Sequence, residues 1–451
     1  MRVFPRRSPH RLSGSLLAVA LAGSSLAIAP QATAADTTAD PSADSGADSR
    51  AGTTAGTAGA RKNATQRKIQ WQAAGSAKQL KRARLAATKV KRGRVLLDVA
   101  ADPVGTRRAG STTYDVGRWT SRWVEHGFAF TELIASWEAK TPGDSWIEVA
   151  VRPRGTDGTM GSWDVLGRWA SGDRFLERTT LGSQSDDLGR VNVDTWVASQ
   201  RVDAYRLQVS LMRKSGARTN PPSLGMIGAV TSRLPSGPVS ASKPGVVARA
   251  GGAVLDVPTY SQMIHEGHYP QYGNGGEAWC SPTSTSMVLA YFDALPSEKE
   301  YSWVGSGHQD PWVDHAARMT FDHGYDGAGN WPFNTAYASR QTDHAFVTRL
   351  RSMREAEKLV AAGIPVVISI AFDAGQLSGA PISSSNGHLL VVVGFTGDGD
   401  VVVNDPAGAS NGAVRRTYDR GQLENAWLPR SGGTAYVIHD AATSRPKGSN
   451  Y

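Results

Sequence analysis

The stretch "GHLLVVVGFTGDGDVVVNDP", residues 387–406, reads as two apolar runs joined by a tight polar turn. Short Val/Leu runs bounded by Gly and Asp are strand signals, and "TGDGD" supplies the turn chemistry that folds one run back on the other. Working outward, "SMREAEKLVAAG" (352–363) is a helix that starts at Ser352 and is capped by Gly363. The apolar strand "IPVVISIAF" follows directly, and "TAYVIH" (434–439) is the last strand. Helix and hairpin in this order predict an α+β domain with an antiparallel sheet over residues 253–440.

The same hairpin carries chemistry. His388 opens one strand and Asp405 closes its neighbour, so folding at the turn brings the two roughly level. Upstream, "NGGEAWCSPTSTSMVLAYF" (274–292) holds Cys280, the only cysteine in 451 residues. Pro282 belongs to a first helical turn, and Met287, Val288, Tyr291 and Phe292 recur at helical spacing. Cys280 is therefore expected at a helix N-terminus, where backbone amides and the dipole favour a thiolate. A thiol nucleophile needs a base and a group to orient it, and His388 and Asp405 are the candidates. The competing reading is a buried structural cysteine, an edge histidine and an "NDP" turn.

The rest of the chain reads as follows. Residues 1–34 have a basic start, an apolar small-residue run and an A-x-A site, the layout of a secretory signal peptide. Residues 35–65 are Ala, Gly, Ser, Thr and Asp with almost no large apolar group, a flexible tether. Residues 66–233 alternate short strands with turns such as "TPGD" and "GTDG", which predicts an all-β sandwich or jelly roll. Seven of its tryptophans, Trp119, Trp123, Trp137, Trp146, Trp163, Trp169 and Trp196, suit either a carbohydrate-binding face or a packed core. Residues 234–252 are a Pro/Gly/Ser linker, and 441–451 a tail. No segment after the signal reaches about 18 uninterrupted apolar residues, so no stable membrane insertion is expected. The predicted location is outside the cell, free or wall-associated.

The formal charge of +9 arises from 49 basic and 40 acidic residues, but the excess is local. Twelve basic residues and no acidic one fall between Arg61 and Arg94. This segment suits contact with an anionic cell-wall polymer or membrane surface, or a solvated strand flank; nothing else in the chain resembles a nucleic-acid reader. A second cluster, His265, His268, His308, His315, His323 and His344 with Asp310, Asp314 and Asp322, matches no HExxH or C2H2 spacing. It reads as polar loops beside a cleft, with no metal or cofactor expected.

The segments "VPTYSQM…EAWCSPTSTSMVLAY", "LVAAGIPVVISI" and "GHLLVVVGF…VVVNDP" resemble the peptidase C39-like group of papain-fold cysteine peptidases, over residues from about 255 to 440. "FTELIASWEAKTPGDSWIEVAVR" is similar to the β-rich domain that precedes such domains in secreted actinobacterial proteins. The resemblance implies a Cys-His-Asp catalytic set of Cys280, His388 and Asp405, with Gln262 assisting the oxyanion hole and Gln271 in reserve. Three departures stand out. Gln262 lies 18 residues before the cysteine, Ser281 replaces the usual glycine, and no "GxxxxGK[ST]" accompanies the domain. The resulting expectation is a secreted cysteine peptidase that hydrolyses amide bonds through an acyl-enzyme and acts on protein, peptide or peptidoglycan. The alternatives are a peptidoglycan amide hydrolase or acyltransferase with the same triad, and a non-catalytic glycan- or wall-binding protein with a degenerate peptidase domain.

Overall fold

A computed structural model describes residues 66–451 apart from positions 183, 186 and 219. The expected signal peptide and tether lie outside the described residues. The β-rich region contains β1 (Lys68–Ala74), β2 (Thr112–Thr120), β3 (Val124–Lys140), β4 (Ser145–Gly155), β5 (Thr195–Lys214) and β6 (Ser223–Arg233), with shorter strands between them. Its twelve strands form a single hydrogen-bonded sheet, where a sandwich of two sheets was expected. The central path runs Arg84–Ala86, β2, β5, β3, β6, Arg94–Leu97, Thr88–Lys91. Its two end strands are neighbours in sequence, so the sheet curls into a nearly closed barrel. The 20-residue β5 makes the curvature possible, pairing with β2, β3 and β4 in turn and shifting register near Val202. Such irregularities bend a strand and increase its twist.

Strand alternation fills the barrel. Val151, Val149 and Ile147 of β4 stand opposite Leu207, Val209 and Leu211 of β5, and all six are buried. Trp119, Trp137, Trp146, Trp169 and Trp196 are buried as well, so the carbohydrate-face reading of these five is corrected: they are core. Trp123 is part-exposed and held between the guanidinium groups of Arg154 and Arg206, 5.2 and 4.7 Å from its ring.

The C-terminal region is a mixed α+β domain. Helices α1 (Cys280–Tyr291), α2 (Pro311–Thr320), α3 (Trp331–Gln341) and α4 (Met353–Ala361) surround a seven-stranded antiparallel sheet. Its strands are β7 (His344–Arg349), β8 (Val366–Phe372), β9 (Ser385–Thr396), β10 (Val401–Asn404), β11 (Arg415–Tyr418) and β12 (Thr434–His439). The order is β7-β12-β8-β9-β10-β11, with Gly252–Val254 added along β9. The run "LLVVV" in β9 is apolar at every position because both faces of the sheet are covered. Leu389, Val391 and Val393 pack with Met287 and Val288 of α1, whereas Leu390 and Val392 pack with Met353 and Leu359 of α4.

The segments expected as linker and tail are tied down. The buried carboxylate of Glu357 accepts hydrogen bonds from the backbone N–H of Gly245 and Val247 and pairs with Arg420. At the C-terminus, Asn450 donates to the Arg349 carbonyl at 2.8 Å, and the Ser449 carbonyl accepts from Trp71 N–H.

Candidate functional site

Cys280 is the first residue of α1, as the position of Pro282 predicts. The polar run "SPTSTS" is buried, and its serine hydroxyls find partners in the protein, whereas the Thr283 hydroxyl is buried without one. Ser281 Oγ meets Tyr436 Oη at 2.9 Å, Ser284 Oγ donates to the Leu389 carbonyl, and Ser286 Oγ to the Pro282 carbonyl. These bonds lock α1 against β9 and β12 and fix its N-terminus, where the Cys280 side chain is partly exposed.

His388 enters on β9 opposite Ile370 of β8, and Asp405 follows the last residue of β10. In the hairpin register Val391 faces Asn404, which puts the two polar residues at one end of the ladder. His388 Nε2 and Asp405 Oδ1 are 2.7 Å apart, and both side chains are buried. Asp405 also accepts from the Ala407 N–H on Oδ1 and from the Tyr418 hydroxyl on Oδ2, at 3.0 and 2.7 Å. Burial alone opposes a charge on His388, yet Asp405, with a further hydrogen bond and charge interaction from Cys280, holds the imidazole pKa up at about 10. Burial likewise opposes charge on Asp405, and the imidazolium and hydrogen bonds overcome it and lower its pKa.

Gln262 is buried beside this pair, and its N–H donates to the Pro406 carbonyl next to Asp405. Its Nε2 donates to the Glu277 carbonyl at 2.6 Å, and its Oε1 is buried without a hydrogen-bond partner. Gln271 is exposed on the surface of the preceding loop. The structure thus ties Gln262 between Pro406 and Glu277, whereas Gln271 stands at the surface. Several neighbours had no motif to announce them. Tyr418 completes the shell of Asp405, while Tyr436 and Tyr325 lie in electrostatic range of the thiol. Asp194, from the β-rich region, acts on both tyrosines and accepts from the Trp331 N–H at the start of α3.

Residues 254–435 match the family described as "Peptidase_C39 like family", and residues 62–232 match the "Peptidase C39 N-terminal domain". The chain belongs to the peptidase C39-like family. No curated protein matches it. Among solved structures, an infectious bursal disease virus Gx strain structure aligns at 14% identity and a TM-score of 0.19, over 36% of this chain and 33% of that one. A family two carbohydrate esterase from Cellvibrio japonicus aligns at 12% identity and a TM-score of 0.17, over 43% of each chain. The chain thus spans about a third of the viral chain's length, and neither likeness carries an argument.

Family membership does not carry the expected activity with it, and the C39-like domain corrects two expectations. Its compact group of imidazole and carboxylate ligand atoms, all within 4.8 Å of one another, is His265, His268 and Asp314. That group holds no thiol, and Cys280 enters no group of this kind among the described residues. The thiol and the Asp405 carboxylate each reach His388 without closing into one three-member cluster. The Nε2 of Gln262, expected to serve an oxyanion, is bonded to a backbone carbonyl. The assignment as a cysteine peptidase acting through a Cys-His-Asp triad, with its hydrolase and thiol-protease readings, is therefore withdrawn. The histidine loops are corrected too: three of the six histidines, His265, His268 and His308, converge on Asp314 rather than standing as separate loop polar groups.

Proposed function

We propose that the protein is a secreted, wall-associated binding protein whose β-rich domain engages an anionic cell-wall polymer and whose C39-like domain serves recognition. The observation that carries this reading is the charge on the barrel seam. Lys78, Lys81, Arg82, Arg84, Lys91 and Arg92 are all exposed: Lys78 is on the short helix Ala77–Leu80, Arg84 and Lys91 are on the two end strands of the sheet, and Lys81, Arg82 and Arg92 are in the turns that adjoin them. Charged side chains on edge strands discourage sheet-to-sheet pairing. Six cations of one sign along one seam also set up a field that gathers a polyanion and weakens with added salt. The neighbouring Arg94 is instead tied to Ser223, so the exposed charges sit on an anchored base.

The test is sedimentation with purified cell walls, either intact or stripped of their anionic polymers. Intact walls should retain the protein at low salt, and stripped walls should not. A Lys81→Glu, Arg84→Glu, Lys91→Glu variant should lose about 10-fold in retention, a screened charge effect. Equal retention by both wall preparations would sink the polyanion reading. Soluble wall fragments released by the wild type but not by Cys280→Ala would sink the binding-only reading.

A further inference from the structure

We propose that His265, His268 and Asp314, with His308 as fourth ligand, bind one divalent transition-metal ion of the zinc class. His265 Nδ1 lies 3.0 Å from Asp314 Oδ2, and His268 Nδ1 lies 3.0 Å from Oδ1. His308 Nδ1 is 3.5 Å from the same Oδ1, buried, and without a hydrogen-bond partner. The His268 and His308 rings are stacked, 3.8 Å between centroids, with both Nδ1 atoms directed to one carboxylate oxygen. His265 thus faces one carboxylate oxygen and His268 and His308 the other, at separations that ligands sharing one ion with metal–ligand bonds of about 2.0 Å can have.

The burial of a carboxylate also favours an ion here. Asp314 is fully buried, and its ion-pair partners among the described residues are these three histidines, with no Lys or Arg. A buried carboxylate needs a compensating charge. A divalent ion supplies such a charge, and three imidazole nitrogens with the Asp314 carboxylate form a donor set suited to zinc.

The ligands come from segments that are separate in sequence. His265 and His268 lie in the segment between Gln262 and Cys280, His308 in the loop before α2, and Asp314 in the first turn of α2. An ion here would pin that segment to α2. Trp279, the residue before Cys280, packs on the His265 ring and against Val313 and Ala317 of α2, so the same ion would set the approach to the thiol.

The experiment uses the secreted chain after dialysis against a chelator, titrated with ZnCl2 by calorimetry. A parallel CoCl2 titration reports four-coordinate geometry through its visible absorption. One equivalent of Zn²⁺ should bind, the Co²⁺ form should show tetrahedral bands, and the melting temperature should rise. His268→Ala and Asp314→Asn should each weaken binding by at least about 10-fold. If either variant fails to fold, His308→Gln, on a partly exposed ring, should weaken binding in the same direction. The proposal is overturned if the wild type shows no saturable one-to-one Zn²⁺ binding. It is equally overturned if a folded His268→Ala or His308→Gln variant binds as the wild type does.

Discussion

Asp405 accepts from an imidazole, a hydroxyl and a backbone N–H while almost wholly removed from water. Asp405→Asn keeps the shape and removes the charge, which should cost about 3 kcal/mol near neutral pH, the usual price of breaking a buried pair. The pH dependence has a definite sign. His388 has a folded pKa of about 10, above its ordinary value, so its contribution is complete below about pH 6.5 and fades as pH rises through the folded value. Asp405 is shifted downward, so its contribution is present above the ordinary carboxylate range and is lost as pH falls through its lowered folded value. Urea unfolding at neutral pH and above pH 10 measures this. The gap between wild type and Asp405→Asn should shrink on the alkaline side; a gap that stays constant or widens contradicts the coupling. At this scale the sequence was legible where residues lay on one hairpin, since a turn of five residues brings His388 and Asp405 into one neighbourhood. It was illegible for Tyr418 and for the histidines around Asp314, because their partners are set by tertiary packing.

Among the elements, the "LLVVV" hairpin and the helix over 353–361 were readable because their local chemistry agrees with the global fold. Gly363 is one such agreement: it sits at φ +79° just past α4 and lets the chain turn straight into β8. Gly363→Ala should therefore destabilise the protein by about 1 kcal/mol through left-handed strain alone. The carbon it adds comes no nearer than 3.9 Å to the Tyr291 hydroxyl. An unchanged urea midpoint would show that the cap is dispensable. The barrel was harder to read. Its strands were evident from their alternation, but closure depends on which strand β5 meets along its 20 residues, and that is a long-range choice. The helix at Cys280 shows the opposite difficulty. Its hydroxyl-rich first turns are polar in sequence yet buried, because the Leu389 carbonyl of β9 and the Tyr436 hydroxyl of β12 supply partners.

Across the whole described molecule, the β-rich and C39-like regions share packing. Phe333 of α3 is fully buried within the barrel's own core cluster, with its ring set edge-on to Trp137 at 6.1 Å. Gly167 leaves room for it, since a Cβ there would come within 3.1 Å of the Phe333 ring. Polar contacts reinforce the seam: Arg318 reaches Asp173 through two nitrogens, and Asp322 accepts from both the N–H and the hydroxyl of Thr180. On the other side Trp71 of β1 stacks on Phe346 of β7, 4.5 Å between centroids. Apolar groups shared in this way make the two regions unfold together rather than in succession. Phe333→Ala removes a buried ring from both at once and should cost about 3–5 kcal/mol. Calorimetry of the wild type should show one transition, with matching near-UV and far-UV melting curves. In Phe333→Ala the transition should move down in temperature and broaden or divide as the shared packing is lost. Two separate transitions already present in the wild type would show that the regions fold independently, and that the barrel seam and the C39-like domain act as tethered but uncoupled parts.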